Sequence, residues 1–455
     1  MQQKQIDTLI VGAGITGLTL AFHLKRKGTR VHILEQSDRT GGQIRSFREE
    51  GFLFESGPNT GVVSYPEVAE LFEMLAPDCQ LETAREESKQ RLIWKKNRFH
   101  QLPSGLWSGI TTPLFSFSDK LRILGEPFRA KGMNPEESVG ELARRRLGRS
   151  FLDYAVDPFI SGVYAGDPMQ LVTRHALPKL YNLEQEHGSF IRGSIAKMKQ
   201  PKSDRDRLAT KKVFSARGGL EQLIHALTKR VGEEQITLSA QSIEILPMEK
   251  GWQISYRLHG ELYTIHARQV VTTTAAYSLP TLLPFIAREQ MMKIANLAYA
   301  PVIQVSVGIK EVGDNSYNAF GGLIPSVERQ RVLGILFPSA CFRERAPESG
   351  ALFSFFIGGV KQPEWLSRSD EEIEAMVKES LHTLLKFPAT QSPDLLRIFR
   401  HARAIPQYDA GSGDRFAAIH QIEQSFPGLY LAGNIRNGIG MADRIRQATL
   451  LAERI

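Results

Sequence analysis

Among 455 residues there are only two cysteines, Cys79 and Cys341. That excludes a disulfide framework and a C-x-x-C redox pair. None of the eleven histidines falls in an H-E-x-x-H or comparable ligand spacing, so no metal site is expected. No apolar run reaches the roughly 18 residues of a membrane span. The start, MQQKQIDTLIVGAG, lacks the basic, apolar and small-residue pattern of a signal peptide. The expectation is a cytoplasmic protein, at most peripheral on the inner face of the cell membrane. Repeats, low-complexity segments and nucleic-acid-binding signatures are missing as well, so no nucleic-acid partner is expected.

What is present is ordinary in bulk. A hydrophobic fraction of 42% fits a folded globular chain, and 455 residues exceed one compact core, so two or three domains are expected. Lys plus Arg number 57 against 49 Asp plus Glu. That balance suits an anionic ligand or an acidic membrane surface.

The informative residues lie near the two ends. Ile6 to Val11 is a short apolar run, followed by Gly12-Ala13-Gly14-Ile15-Thr16-Gly17 and a helical pattern. A second apolar run, RVHILE, closes on Glu35, followed by Gln36. Gly12 permits the tight turn, Gly14 lets a pyrophosphate approach the backbone, and Gly17 lets helix and strand pack closely. The helix N-terminus offers free N–H groups to phosphates, and Glu35 stands where a carboxylate accepts from a ribose diol. Arg39-Thr40-Gly41-Gly42, directly after, resembles the second fingerprint of flavoproteins that use FAD. The chain has no second G-x-G-x-x-G, which disfavours a pyridine-nucleotide-dependent reductase.

Near the other end, LYLAGNIRNGIGMADRI reads as a buried strand, a turn opened by Gly433 and Gly438, and a helix begun by Gly440 and Met441. A long dinucleotide needs holding at both extremities. A helix N-terminus near N1 and the C2 carbonyl of a flavin stabilises the reduced anion, typically by about 0.3–1 kcal/mol. The first turn is therefore expected to grip the diphosphate and the second to cup the flavin. Asn434 stands where many related flavoproteins carry Asp.

Between the turns, Ile243 to Leu246 and Val270 to Thr274 read as strands that resume the nucleotide domain, with Ile243 passing the adenine. Residues 98 to 190 look mostly helical. Gln200 to Lys212 reads as a charged loop, and Arg144-Arg145-Arg146 as a solvated helix face. The stretch Leu102 to Phe117 reads either as a lipid-touching surface or as a packed connector. The fold class expected is α/β: a discontinuous Rossmann-like FAD-binding domain (1–60, 208–277 and 401–455), a sheet-containing substrate domain (61–97 and 278–400), and a helical, membrane-associating insert (98–207).

Several further motifs, in matching order and spacing, carry a resemblance across nearly the whole chain: ESGPNT (55–60), DPFISGVYAGDP (157–168), FSARGGLEQL (214–223), FGGLIPS (320–326), RAIPQY (403–408) and the terminal LAGN. Together they are similar to the oxygen-dependent protoporphyrinogen oxidases, FAD enzymes of haem biosynthesis within the amine-oxidase-like flavoproteins. The resemblance implies six-electron oxidation of protoporphyrinogen IX to protoporphyrin IX, with hydride passing to flavin N5, dioxygen as the usual acceptor and hydrogen peroxide as product. It implies no catalytic side chain and no metal. It assigns Arg91 to a propionate, with Arg98 as a rival. Leu323 and Leu336 flank one pyrrole ring, Phe356 stacks on another, and Gly162 lies close to the macrocycle. Gly57, Pro58, Asn59 and Thr60 fall to the cofactor, Asn59 also to the substrate. His401 stands where relatives often place Trp against the flavin, and Ile439 joins the flavin turn. A homodimer, a peripheral membrane contact and hand-off to a chelatase are all compatible with it. The alternatives are coproporphyrinogen III oxidation to coproporphyrin III, an amine oxidase or carotenoid desaturase on the same scaffold, and a non-catalytic flavin- or porphyrin-binding protein.

Overall fold

The computed structural model describes residues 6–103, 106–313, 317–388 and 390–455. Residues 104–107 and 110 of the Leu102–Phe117 stretch lie outside the described residues or side chains; Leu114 and Phe115 within it are buried beside Ile93. Two seven-stranded sheets organise the chain. The first has a parallel part in the order 236–237, 31–34, 6–11, 267–272 and 429–431. The outer half of strand Glu261–Thr272 instead pairs antiparallel with Trp252–Leu258, which pairs with Gln241–Pro247. Helices Ile15–Arg26, Glu221–Val231 and Met441–Arg454 cover one face, burying Leu18, Phe22, Leu223, Leu227 and Ile445 against Ile10, Ile33 and Val271. The parallel strands read as continuous apolar runs because both their faces are covered.

The second sheet runs in the order 395–406, 299–309, 351–358, 332–336, 321–323, 91–95 and 98–101. All its pairings are antiparallel except Gly321–Leu323 with Arg91–Lys95. Strict alternation sorts its residues. Val305, Val307, Ile335, Phe353 and Phe355 pack against Ile373, Val377 and Leu381 of helix Asp370–Leu385. The opposite face turns toward residues 55–59, meeting Glu55, Ser56 and Asn59. Arg98–Gln101 is a strand of this sheet, whereas the pattern reading began a helical stretch there.

Residues 106–198 are chiefly short helices. Helix Val139–Arg146 corrects the expectation of a solvated arginine face. Only Arg144 is exposed, while Arg146 is fully buried, bonded through Nε to Glu126 Oε1 at 2.6 Å and through Nη1 to Glu184 Oε1 at 2.9 Å. Charge runs do not reveal burial: residue 146 falls on the same face as Leu142 and Ala143, and carboxylates from two other helical segments meet it there. Gln200–Lys212 contains a one-turn helix, Asp204–Arg207, whose Arg205 reaches Glu70 at 2.6 Å. Among the described residues no helix is long and apolar enough to cross a membrane.

Candidate functional site

The two glycine turns, about as far apart in sequence as the chain allows, meet at one edge of the first sheet. Strands Ile6–Val11 and Leu429–Leu431 flank Ala267–Thr272, and all three run parallel, so their carboxyl ends emerge together. That edge is where doubly wound sheets bind ligands. Thr273, at the end of the middle strand, is wedged between the turns. Its Oγ1 donates to Gly12 O at 3.0 Å; a Cβ on Gly12 would lie 2.7 Å from that oxygen, and one on Gly433 would lie 2.9 Å from Thr273 O. Both glycines have positive φ, +108° and +90°, so they are required twice over. Thr273 was not singled out in the sequence, although its TTT context at a strand end is the place to look.

The residues at this edge fit FAD. A Cβ on Gly14 would meet nothing within 4 Å, while one on Gly17 would sit 2.0 Å from Gly12 O. Gly14 therefore faces open space, whereas Gly17 is there for close packing. Helix Ile15–Arg26 has no acidic residue in its first turn and no side-chain cap, which leaves its N–H groups available to phosphate. Ala13 and Thr16 are buried, and Ile15 packs partly against the core. Glu35 accepts from Ala13 N at 2.7 Å and Ser37 N at 2.8 Å, one bond per oxygen, which fixes the carboxylate and leaves acceptor capacity for a diol. The Gly41–Gly42 loop lies against the first turn, with Gly41 N donating to Ala13 O at 2.8 Å.

Three of the nominated residues are placed less directly. Arg39 folds over its own loop, donating to Gly42 O at 2.7 Å and to the carbonyls of Thr40 and Ile44. Ile243 packs its side chain into the core beside Leu34 and Ala240. Gln36 is exposed and accepts at its carbonyl from Gln241 Nε2 at 2.9 Å.

At the other end, the loops 57–61 and 433–441 come together. A Cβ on Gly61 would lie 3.1 Å from Met441 Cε, and one on Gly57 would lie 2.1 Å from Gln43 O. Pro58 and Thr60 are half-buried in the first of these loops. Asn59 is buried and fixed on both sides, donating to Gly57 O at 2.9 Å and accepting from Ser354 Oγ at 2.8 Å. Asn434 Oδ1 accepts from Tyr299 OH at 3.3 Å, and burial pushes the Tyr299 phenol up to about 12. Ile439 packs against Tyr408 and Ile160, and Gly440 N is capped by Asp443 Oδ2 at 3.0 Å. Two buried guanidiniums, Arg444 and Arg415, hold the carbonyls of this loop. Neither was nominated, because a lone arginine in an amphipathic helix carries no signal of burial.

The register of the second sheet collects the residues that the resemblance assigns to the substrate. One row across it reads Arg91, Gly321, Leu336, Ser354 and Ser306; the next reads Ile93, Leu323, Gly334, Phe356 and Gln304. His401 pairs with Val302 one step further on. Directly paired residues share a face, so Arg91, Leu323, Leu336, Phe356 and His401 all point to the same side. That side looks toward the cofactor loops: Gln304 Nε2 donates to Glu55 O at 2.5 Å, and the His401 ring nitrogen Nε2 lies 2.6 Å from Ser56 O. Gly321 and Gly334 leave the middle of both rows without side chains. Gly162, in helix Asp157–Tyr164, packs over this face, for a Cβ there would lie 2.3 Å from Leu323 Cδ2. Arg91 is exposed at the rim, its guanidinium 5.7 Å from the Phe320 ring centroid. Arg98 is also exposed and lies opposite Lys95, two rows away from Arg91.

A sheet edge built to hold a dinucleotide, joined to a mostly apolar sheet face, defines an FAD-dependent oxidoreductase. Residues 15–455 match the flavin-containing amine oxidoreductases. The chain belongs to that family and, within it, to the protoporphyrinogen oxidases. It is 30% identical to the chloroplastic protoporphyrinogen oxidase of Nicotiana tabacum, over 99% of this chain and 85% of the relative. It is 26% identical to the coproporphyrinogen III oxidase of Bacillus subtilis, over 98% and 97%. A crystal structure from Exiguobacterium sp. 255-15, provisionally assigned as a protoporphyrinogen oxidase, superposes with a TM-score of 0.81 at 23% identity, covering 99% of both chains. FAD is the cofactor.

Proposed function

We propose that the chain oxidises protoporphyrinogen IX to protoporphyrin IX, with dioxygen as acceptor and hydrogen peroxide as product. Six hydrogens leave the substrate, and three molecules of dioxygen carry them away as three of peroxide. The observation that carries this reading is the shared sheet face: Leu323, Leu336 and Phe356 around a glycine floor, with one arginine at the rim. A flat apolar macrocycle with carboxylate arms calls for that combination. The name of the tobacco relative supports it, and that of the Bacillus relative supports the same chemistry on coproporphyrinogen III.

FAD supplies the two-electron acceptor when bound. The chain's own residues bind, orient and exclude water. Arg91 anchors a carboxylate through its planar fork of donors. The leucines and Phe356 hold the ring and keep the face dry. Asn59, fixed by Ser354 and by its own loop, sits where cofactor and substrate meet. No general base is assigned, because tautomerisation within the substrate brings successive hydrogens to the reacting carbon. The same proposal assigns the first sheet with its helices to a nucleotide-binding unit and the second to a substrate-binding unit.

Anaerobic mixing with protoporphyrinogen IX or coproporphyrinogen III, followed by flavin bleaching, and aerobic turnover of each, followed by porphyrin fluorescence, test the reading. Faster bleaching by protoporphyrinogen is expected. Preference for coproporphyrinogen, the second reading, would move the assignment to the reaction of the Bacillus relative. An amine that bleaches the flavin where neither porphyrinogen does would overturn both. In aerobic turnover Arg91→Ala should raise KM about tenfold or more, at about 1.4 kcal/mol per tenfold, with an unchanged flavin spectrum. An unaltered KM would reject the anchoring role.

A peripheral membrane contact belongs to this proposal. Phe117, Leu121 and Leu124 form an exposed stripe on helix Phe117–Leu124, continued by Phe128 at 86% and Met133 at 87% exposure. Arg122 and Lys131 stand among them. Apolar side chains with basic neighbours suit an anionic lipid surface. Co-sedimentation with anionic vesicles, weakened by Phe128→Asp, is expected; equal sedimentation of wild type and variant would reject this contact.

A further inference from the structure

Among the described residues, four arginines are almost wholly enclosed: Arg146, Arg345, Arg415 and Arg444. Arg146 and Arg345 are answered by carboxylates, Glu126 and Glu184 for the one and Glu55 for the other. The remaining two have no such partner within 4 Å, and both are spent on one loop. Arg444 donates to the carbonyls of Gly433, Arg436, Asn437 and Gly438, at 2.8 to 3.1 Å for the last three, and to Gln447 Oε1 at 3.0 Å. Arg415 Nε donates to Ile435 O at 3.0 Å and Nη2 to Ser412 Oγ. Burying a cation without a counter-charge costs several kcal/mol, so an anion is expected nearby in the working protein. Desolvation lowers the pKa of both groups, opposed in part by Tyr408 and Asp443 near Arg444 and by Tyr408 and Asp409 near Arg415, none of which forms an ion pair with either.

The consequence for the loop is directional. Five carbonyls between Gly433 and Gly438 are turned onto guanidiniums. The N–H groups of Ile439 and Met441 meet no acceptor among the described residues. Met441 opens helix Met441–Arg454, whose dipole adds positive potential at the same place, offset in part by Asp443 in its first turn, whose Oδ2 accepts from Gly440 N at 3.0 Å.

We infer that Arg444, seconded by Arg415, is a positioning residue for the flavin. It holds the loop carbonyls inward so that the amides face the ring, and its buried charge favours the negative charge that the reduced ring carries. This rests on the placement of the flavin at the Gly433–Met441 turn, but not on the identity of the organic substrate.

The test uses the FAD-loaded protein and sulfite, which adds to oxidised flavin and leaves the ring anionic. Gln447→Glu is nearly isosteric and puts a carboxylate beside Arg444. It can still accept from Gly433 N, now at 2.8 Å, and loses only the 3.4 Å bond to Arg436 O. The variant should load FAD, bind sulfite about tenfold or more weakly, and show a lower flavin potential by the corresponding 30 mV or so per tenfold for a two-electron couple. Arg444→Lys should keep sulfite affinity close to wild type, and Arg444→Gln should lose it. A loaded Gln447→Glu protein with wild-type sulfite affinity overturns the inference. If that variant loads no FAD, equal sulfite affinity in Arg444→Lys and Arg444→Gln overturns it instead. Sulfite binding needs no porphyrinogen, so failure of the proposed reaction leaves this result readable.

Discussion

Gly14→Val is expected to give a folded, colourless protein. Gly14 has φ −73° and ψ 178°, an extended conformation open to any residue, and an added Cβ meets no atom within 4 Å. The cost to the apoprotein is that of an unfavourable helix N-cap, about 1 kcal/mol. The same open space is the approach of the pyrophosphate to the backbone and to the helix N–H groups, and a branched side chain fills it. FAD affinity should fall about a thousandfold or more, equivalent to about 4 kcal/mol. Visible absorbance of the purified protein and calorimetric titration with FAD, beside a circular-dichroism spectrum, check both halves. A yellow, fully loaded variant would remove the first turn from the cofactor site. Gly17→Ala is the contrasting case, since its Cβ would lie 2.0 Å from Gly12 O and the backbone itself would have to move.

Arg345→Met should cost stability rather than binding chemistry, by about 3–5 kcal/mol. Arg345 Nη1 meets Glu55 Oε1 at 2.8 Å, with both side chains at most 3% exposed, and Nη2 donates to Ser215 Oγ at 2.7 Å. Glu55 also accepts from Leu220 N at 3.0 Å and Ser46 Oγ at 2.6 Å. Methionine would replace the volume but leave that carboxylate buried without its cation. Glu55 introduces the 56–60 loop, and Arg345 leads into the strand that carries Ser354 and Phe356. The pair therefore ties the 56–60 loop to the segment that leads into the strand carrying Ser354 and Phe356. The denaturation midpoint should drop, and FAD should be released at lower denaturant than in wild type. Loss of less than about 1 kcal/mol would mean that water or a shifted backbone replaces the cation.

The glycine turns were legible because their chemistry is local. Gly12, Gly14, Gly17 and Glu35 act within one strand–turn–helix unit, and spacing alone specifies such a unit. The terminal turn was legible for the same reason. The residues proposed for the substrate were reached by resemblance, not by pattern: Leu323, Leu336 and Phe356 look like any core positions on short strands. Arg144-Arg145-Arg146 was misread because identical neighbouring charges give no hint that one of them turns inward. The Glu55–Arg345 pair gave no signal, since its members are 290 residues apart, and Arg415 and Arg444 gave none because nothing in a local pattern shows that a charged side chain is buried.

By itself the sequence determined two glycine-rich strand–turn–helix units, one near each end, and supplied too few cysteines for a disulfide framework. Backbone freedom, helix termini and residue chemistry are properties a short segment carries with it. Tertiary structure alone decided that the turns share one sheet edge, that five distant residues share one sheet face, and that two arginines are buried beneath one loop. Strand order, register and burial arise only when segments hundreds of residues apart exclude water together, and no local pattern encodes which of them will meet.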